Sequence, residues 1–253
     1  MTKNRIHLLG AMMILTAACA DDAGTAGLAM SALSRDGKAP VPTDTAGTSF
    51  TLQQGLLHLR HIEIDLPQGQ RCADLGDTLA GATCRDPSVA GEEAKIRIAG
   101  PIVVDLVAGT STPTLANVVI PAGSYKRIDL RVDDGQPSQG VVQAGSPLDD
   151  NALAVIAAFD RGGVQAVLDL RLNFNEDIRI EQPGGVSVAP GDDLIARFAA
   201  TNWLSGVNLK ACVDTLTASA GRYVVDDRND GACAGIEDTV KRAMKESGDL
   251  DSN

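Results

Sequence analysis

The segment 127–132 alternates charged and apolar residues, and this pattern constrains the fold more than any other part of the chain. The alternating residues are Arg127, Ile128, Asp129, Leu130, Arg131 and Val132. A period of two is typical of a β-strand with one buried face and one solvent-exposed face. Residues 121–124, Pro-Ala-Gly-Ser, favour a tight turn before it, since proline fixes φ and glycine allows positive φ. The segment therefore predicts antiparallel β-sheet.

Other segments repeat this strand signature. The longest apolar face consists of Val164, Ala166, Leu168, Leu170, Leu172 and Phe174. In residues 49–66 the apolar positions change parity between Leu59 and Ile62, which predicts a bulge or bend near Arg60 and His61. Roughly eight or nine short strands, separated by Gly/Pro turns with few helices between them, indicate a sandwich or a partly open barrel. We predict a mainly β chain whose residues 49–200 form an antiparallel β-sandwich-like domain.

The last fifty or so residues, 201–253, have a different pattern. Apolar side chains recur at helical spacing in two places, at Leu209, Cys212, Val213 and Leu216 and at Ile236, Val240 and Met244. We predict a small C-terminal helical appendage stapled by a disulfide, with a frayed tail from Leu250. Trp203, the single tryptophan, is a candidate core anchor or, alternatively, a binding residue.

The amino end carries an export signal in residues 1–18. Lys3 and Arg5 supply the positive region, residues 8–15 a short apolar run, and Ala17 and Ala18 the small residues before the cleavage site. The run is too short for a bilayer, which needs about 20 apolar residues.

Residues 15–19, Leu-Thr-Ala-Ala-Cys, resemble the lipobox of bacterial lipoproteins, although Thr16 stands where leucine is preferred. The resemblance implies that Cys19 is acylated and anchors the chain in a membrane. Ala20 follows the cysteine, instead of the aspartate associated with inner-membrane retention, which implies the outer membrane. The alternative is a secreted or periplasmic protein cleaved near Ala18 or Ala20.

Residues 19–48 are expected to form the lipidated cysteine and a flexible tether. Ala, Gly, Ser, Thr, Pro and Asp dominate there, with a weak signal for a short strand in 27–34. A flexible chain of this length would hold the domain roughly 30 Å from the membrane.

Charge limits the partners of the mature chain. The full sequence has a net charge of −11, which becomes −13 without Lys3 and Arg5 of the signal. This charge opposes binding to nucleic acid and to anionic lipid surfaces. We therefore expect no nucleic-acid partner. We also expect a monomer that is attached to the membrane through its lipid, with an envelope protein as its candidate partner.

Four cysteines are left once Cys19 is set aside, and they are Cys72, Cys84, Cys212 and Cys233. An even number in an exported chain predicts two disulfides, for which three connectivities exist. We favour the local pairs Cys72–Cys84 and Cys212–Cys233, because each encloses one loop rich in Gly and Asp. A four-cysteine metal site is the alternative, but the CxxC spacing typical of such sites is missing.

His58 and His61 are the only histidines of the mature chain. Residues three apart do not share a strand face, although a bulge could bring both imidazoles onto one zinc or copper ion. The alternative, which we favour, is two strand histidines at a bend. A Ser-His-Asp hydrolase would need one of them, and the sequence has no GxSxG nucleophile motif. We predict no enzyme activity and, because phosphate-loop and dinucleotide fingerprints are missing, no cofactor.

Residues 226–237 follow most of a calcium-loop pattern. Asp226, Asp230, Gly231 and Glu237 stand at its first, fifth, sixth and twelfth places. Arg228 occupies the third place, where its positive charge opposes a cation. We favour a solvated acidic turn closed by a disulfide, with weak calcium binding as the alternative.

Residues 102–106 (Ile-Val-Val-Asp-Leu) and 119–130 (Val-Ile-Pro-Ala-Gly-Ser-Tyr-Lys-Arg-Ile-Asp-Leu) resemble a family of uncharacterised bacterial envelope lipoproteins. Its members share a β-sandwich-like domain of unknown function, and the resemblance covers roughly residues 50–200. It implies the sandwich and the envelope location, and no site residues.

The function predicted from the sequence is a non-catalytic binding or structural module of the cell envelope, held there as an outer-membrane lipoprotein. The alternative is a carrier of a metal or small ligand, with calcium at residues 226–237 or a metal at His58 and His61. A secreted hydrolase is the least favoured reading.

Overall fold

A computed structural model describes residues 24–34, 36–76, 79–89 and 91–253. The predicted export signal and Cys19 lie outside the described residues. The strands are β1 Thr25–Ser31, β2 Phe50–Asp65, β3 Thr83–Arg85, β4 Lys95–Asp105, β5 Thr110–Thr112, β6 Ile120–Pro121, β7 Gly123–Val132, β8 Leu153–Asp160, β9 Gln165–Leu172, β10 Glu176–Val188, β11 Asp193–Phe198, β12 Arg222–Val225 and β13 Gly248–Ser252. The α-helices are α1 Leu209–Thr215 and α2 Ile236–Glu246.

The described strands form two sheets. The larger has the order β10-β7-β2-β8-β9-β12, and β4 also pairs with β2 and carries β3 and β5. The smaller has the order β13-β11-β1-β6. One apolar core joins the two sheets, so the mainly β, sandwich-like prediction is confirmed. The sheets are mixed, because β1 pairs with β11 and β12 with β9 in parallel.

Strand β2 organises the large sheet, since its first half pairs with β8, its second half with β7, and residues 56–65 with β4. The register of β2 shifts between Leu59 and His61 against both β4 and β7. This shift is the bulge predicted from the change of parity in the sequence, and it lets Leu59 and Ile62 both reach the core.

Gly100 lies opposite this bulge and has no room for a side chain. A Cβ there would lie 2.5 Å from the carbonyl oxygen of Leu59 and 2.6 Å from that of Arg60. Gly100→Ala is therefore expected to lower the free energy of unfolding by about 1–3 kcal/mol, because backbone atoms must move. Gly184→Ala is the matched control, since its Cβ would meet nothing within 4 Å. Urea unfolding of both variants checks the prediction, and equal midpoints would contradict it.

The structure corrects the predicted tether of residues 19–48. Strand β1 lies inside that segment and pairs with β11 and β6. Ala26, Leu28 and Met30 are buried in the core. The prediction of a tether is therefore wrong from Thr25 onward, because β1 is a strand of the smaller sheet and turns its alternate apolar side chains into the core.

The predicted C-terminal helices are present as α1 and α2, and residues 201–253 also contribute two strands to the sheets. β12 extends the large sheet beside β9, and β13 extends the small sheet beside β11. Leu250 is buried in β13, so the prediction of a frayed tail is wrong. Among the described residues, neither helix is long and apolar enough to cross a membrane.

Candidate functional site

Both local disulfides are formed, Cys72–Cys84 and Cys212–Cys233, which confirms the predicted connectivity and excludes a site made of four cysteines. Cys212 and Cys233 are buried in the core, where they join α1 to the turn before α2. Cys72 and Cys84 are half-buried and fasten the short 3-10 turn Cys72–Asp74 to β3.

The two histidines have separate partners. His58 is buried, and its Nδ1 lies 2.8 Å from the carbonyl oxygen of Asp133. Because a carbonyl oxygen only accepts, Nδ1 carries the proton. Arg97 donates to Nδ1 of His61 over 3.1 Å, and burial together with this guanidinium lowers the pKa of His61.

The pairing with Arg97 is unfavourable for a metal at His61, since a guanidinium occupies one of its two ring nitrogens and places a positive charge beside the imidazole. In the part of the chain that the structure describes, no group of three or more His, Cys, Asp or Glu side chains is placed to hold a metal. Nε2 of His58 and Oδ1 of Asp134 are buried polar atoms without a hydrogen-bond partner among the described residues. Burial raises the pKa of Asp134, and Asp133 and Asp150 raise it further.

The segment 226–237 does not assemble as a calcium loop. Arg228 donates to Oδ2 of Asp226 from Nη2 over 2.8 Å and from Nε over 3.2 Å. The third-place arginine thus occupies the carboxylate that would be the first calcium ligand. Glu237, the twelfth-place residue, lies in the first turn of α2, where burial raises its pKa.

The outer face of β4, β2, β7 and β10 carries rows of alternating charges, here called the charge ladder. Its members are Glu63, Asp65, Lys95, Arg97, Arg127, Asp129, Arg131, Asp177, Arg179 and Glu181. The ladder has equal numbers of acidic and basic side chains, although the whole chain is strongly acidic. Sequence reasoning identified the alternation in single strands but not the rows, because rows depend on the register between strands.

Lys95 is central to the ladder. Its Nζ lies 3.5 Å from Asp65, 3.6 Å from Asp129 and 3.8 Å from Glu63. Burial raises the pKa of Asp65 above its usual range, since its attraction to Lys95 and Arg127 only partly compensates. At Asp129 burial acts in the same direction, but hydrogen bonds from Arg127 and Arg179 outweigh it and lower the pKa.

A cavity of about 290 Å³ lies at one end of the ladder, where β2 ends and β7 begins, and is here called the ladder cavity. Its lining includes Asp65, Leu66, Lys126, Arg127, Glu181 and Pro183. Nε of Arg127 is buried without a hydrogen-bond partner among the described residues, and the Asp65 carboxylate is 3.9 Å away. The cavity thus combines an apolar wall with charges of both signs.

Comparisons with protein-family models, with curated proteins and with solved structures found no match for this chain. The resemblance to envelope lipoproteins therefore stays a prediction from the short motifs at 102–106 and 119–130.

Asp169 is a second ionic centre on the outer face of the large sheet and is 0% exposed. Arg171 donates to both of its oxygens, over 3.0 and 2.8 Å, and Arg222 donates to Oδ2 over 2.9 Å. Burial alone would raise the pKa of Asp169, but these hydrogen bonds outweigh it and lower the pKa. The carboxylate is fully paired within the chain, which indicates a structural role.

Asp169→Asn is expected to lower the free energy of unfolding by about 2 kcal/mol at pH 7, because charge-assisted hydrogen bonds are lost. The folded-state pKa is below the unfolded value, so the stabilisation is present above about pH 4 and is lost as the pH falls through the folded pKa. Urea unfolding at pH 7 and near pH 3 measures this loss. A deficit that is equal at both pH values would contradict the assignment.

Proposed function

We propose that this chain is an exported module of the bacterial cell envelope, anchored through acylated Cys19, and that it acts by binding rather than by catalysis. The observation that carries the proposal is the pairing of all four cysteines that follow Cys19. Disulfides persist in oxidising compartments and are rare in the cytosol. Their presence supports the export signal read in residues 1–18 and the lipobox-like segment that ends at Cys19.

A binding role is supported by the hydrogen bonds of the two histidines, which leave neither of them placed as a catalytic base. His58 is buried against a backbone carbonyl, and His61 is paired with Arg97. A general base must lie within hydrogen-bond reach of a reacting group. The contacts of His58 and His61 are instead typical of residues with a structural role. The ladder cavity is the binding site that the geometry favours.

The ligand class follows from the lining of the cavity. Arg127 and Lys126 can face an anionic group, while Asp65 and Glu181 can face a cationic one. The volume of about 290 Å³ suits a small molecule, at the lower end of usual ligand sites. We assign the cavity to a small zwitterion that carries a phosphate or carboxylate together with an amine. The metal-carrier alternative is less favoured, because Arg228 pairs with Asp226 and Arg97 donates to His61, although a cavity of about 290 Å³ is also lined by Asp226, Asp230 and Glu237.

The anchoring is tested by Cys19→Ser, expressed with its own signal and followed by membrane fractionation. The wild-type protein is expected in the membrane fraction and the variant in the soluble envelope fraction. Equal membrane retention of both proteins would contradict acylation at Cys19.

The binding site is tested by thermal unfolding of the oxidised protein with phosphoethanolamine, free amino acids, inorganic phosphate, calcium, zinc and a chelator. A ligand at a hundred times its Kd stabilises by about 2.7 kcal/mol, which is a readily measured shift. Arg127→Gln should abolish the shift. Arg97→Gln, the matched change in the same ladder but outside the cavity, should retain it. A shift with metals alone, or equal loss in both variants, would contradict the assignment.

A further inference from the structure

We infer that one end of the sandwich, the end at which β1 begins, is held close to the membrane surface. The inference rests on the proposed anchoring at Cys19. The end is defined by Gly24, Pro67, Ala122, Gly123 and Pro190 and is here called the proximal end. The partner is a lipid surface, and the chain length between the anchor and the fold sets the distance.

The chain is fixed where it joins the fold. The carbonyl oxygen of Gly24 accepts from the amide of Ala122 over 2.7 Å, and that of Thr25 accepts from the amide of Gly191 over 2.8 Å. A Cβ on Gly24 would lie 2.4 Å from side-chain atoms of Pro190, so the backbone is packed tightly there. Residues after Gly24 therefore add nothing to the reach of the anchor.

Several strand ends meet at this position. Gly123, the first residue of β7, pairs with Val188 at the end of β10. A Cβ on Gly123 would lie 2.6 Å from Pro67, which comes shortly after β2 ends. The turns at 66–69, 121–124 and 189–192 thus gather around Gly24, and the ladder cavity lies at the same end of β2 and β7.

The connection between anchor and fold is short. Cys19 and Gly24 are five residues apart, and a fully extended chain spans at most about 3.6 Å per residue. The proximal end therefore lies within about 18 Å of the acylated cysteine, whatever conformation the connection takes. The longer tether predicted from composition would have allowed any face of the domain to lie farther from the anchor, whereas this length keeps the proximal end within that distance.

The lipid anchor keeps the proximal end near the membrane; affinity of the protein surface for lipid does not. The mature chain is acidic, and Asp192 and Asp193 lie beside the proximal end. Anionic lipid repels a chain of this net charge. The domain without its lipid should consequently leave vesicles, while the acylated chain keeps the same end near them.

The opposite end is far from the membrane. Phe50, at the start of β2, pairs with Phe159, and the β8–β9 connection follows directly. The 16 residues of β2 span up to about 50 Å at 3.3 Å per residue. Val164 at this far end is 68% exposed, and Ala189 at the proximal end is also exposed.

The test places a fluorophore on Ala189→Cys or on Val164→Cys in the full acylated chain, with both native disulfides intact, in vesicles that contain nitroxide-labelled lipid. Strong quenching is expected at position 189 and little at position 164. Inserting about twelve Gly and Ser residues between Ala23 and Gly24 lengthens the reach by roughly 20 Å and should weaken the difference.

The possible failures are distinguishable. Equal quenching at the two positions, or stronger quenching at 164, in protein whose acylation is verified by mass overturns the proximal-end inference alone. Protein without an acyl group overturns the proposed anchoring and the inference with it. The same quenching pattern in lipid-free Cys19→Ser protein would show that surface affinity causes the placement, which also overturns the inference.

Discussion

Trp203→Ala lowers the free energy of unfolding by about 3–5 kcal/mol, the cost typical of removing a large aromatic side chain from a core. Trp203 is 0% exposed and packs edge-on against Phe198, with ring centroids 6.3 Å apart. Its Nε1 donates to Oγ of Ser247 over 3.1 Å, so the polar atom is satisfied inside the protein. These contacts decide between the two roles predicted from the sequence in favour of the core anchor.

Trp203→Phe is the matched control, because it retains an aromatic ring and loses only the larger ring system and the hydrogen bond. Urea unfolding followed by circular dichroism compares the two, since tryptophan fluorescence is lost with the residue. A cost below about 1 kcal/mol for the alanine variant would contradict a core position.

Loss of the Cys212–Cys233 disulfide is expected to cost about 3 kcal/mol through the entropy of the unfolded chain alone, as the bond closes a separation of 21 residues. Both cysteines are buried in the core, so the double alanine variant also loses packing. The bond links α1 to the turn before α2, and its loss should therefore loosen the C-terminal helices first.

The double alanine variant of Cys72 and Cys84 is the control for this effect. Its separation of 12 residues gives a similar entropy term, but both residues are only half-buried. In chemical unfolding, the Cys212–Cys233 variant should be less stable than the Cys72–Cys84 variant. Protease should also cut the Cys212–Cys233 variant near α2 sooner than it cuts the control there. The reverse ranking would contradict the structural assignment.

Local patterns predicted a large part of this fold. The period-two segments in β7 and β9 are strands, and the change of parity between Leu59 and Ile62 is the bulge of β2. Both disulfides join cysteines that are close in the sequence, so the argument that each pair encloses one short loop predicted the correct connectivity. Helical spacing found α1 and α2 because each buries one apolar stripe.

Long-range pairing set the limit of sequence reasoning. The apolar face of β1 is short, with only Ala26, Leu28 and Met30 buried within the strand, and its partner β11 lies more than 150 positions later. Neither segment indicates a parallel pair by itself. β12 and β13 were missed for the same reason, since each is a short strand that joins a sheet formed elsewhere in the chain.

Whether the candidate sites could be predicted from the sequence depended on how far away the partners of their side chains lie in the chain. Arg228 at the third place of the calcium-like pattern already argued against a calcium site in the sequence, and in the structure it pairs with Asp226 as its charge suggests. The contact of Arg97 with His61 joins two strands and could not be read from either one. The ladder cavity likewise exists only once β2, β7 and β10 are in register.

The intact mass of the protein purified from membranes tests the central proposal most directly. We expect a mature chain that begins at Cys19, carries acyl chains and has the mass of a form with two disulfides. A chain that begins at Asp21 without acyl mass, or one with four free thiols, would contradict an anchored module of the cell envelope.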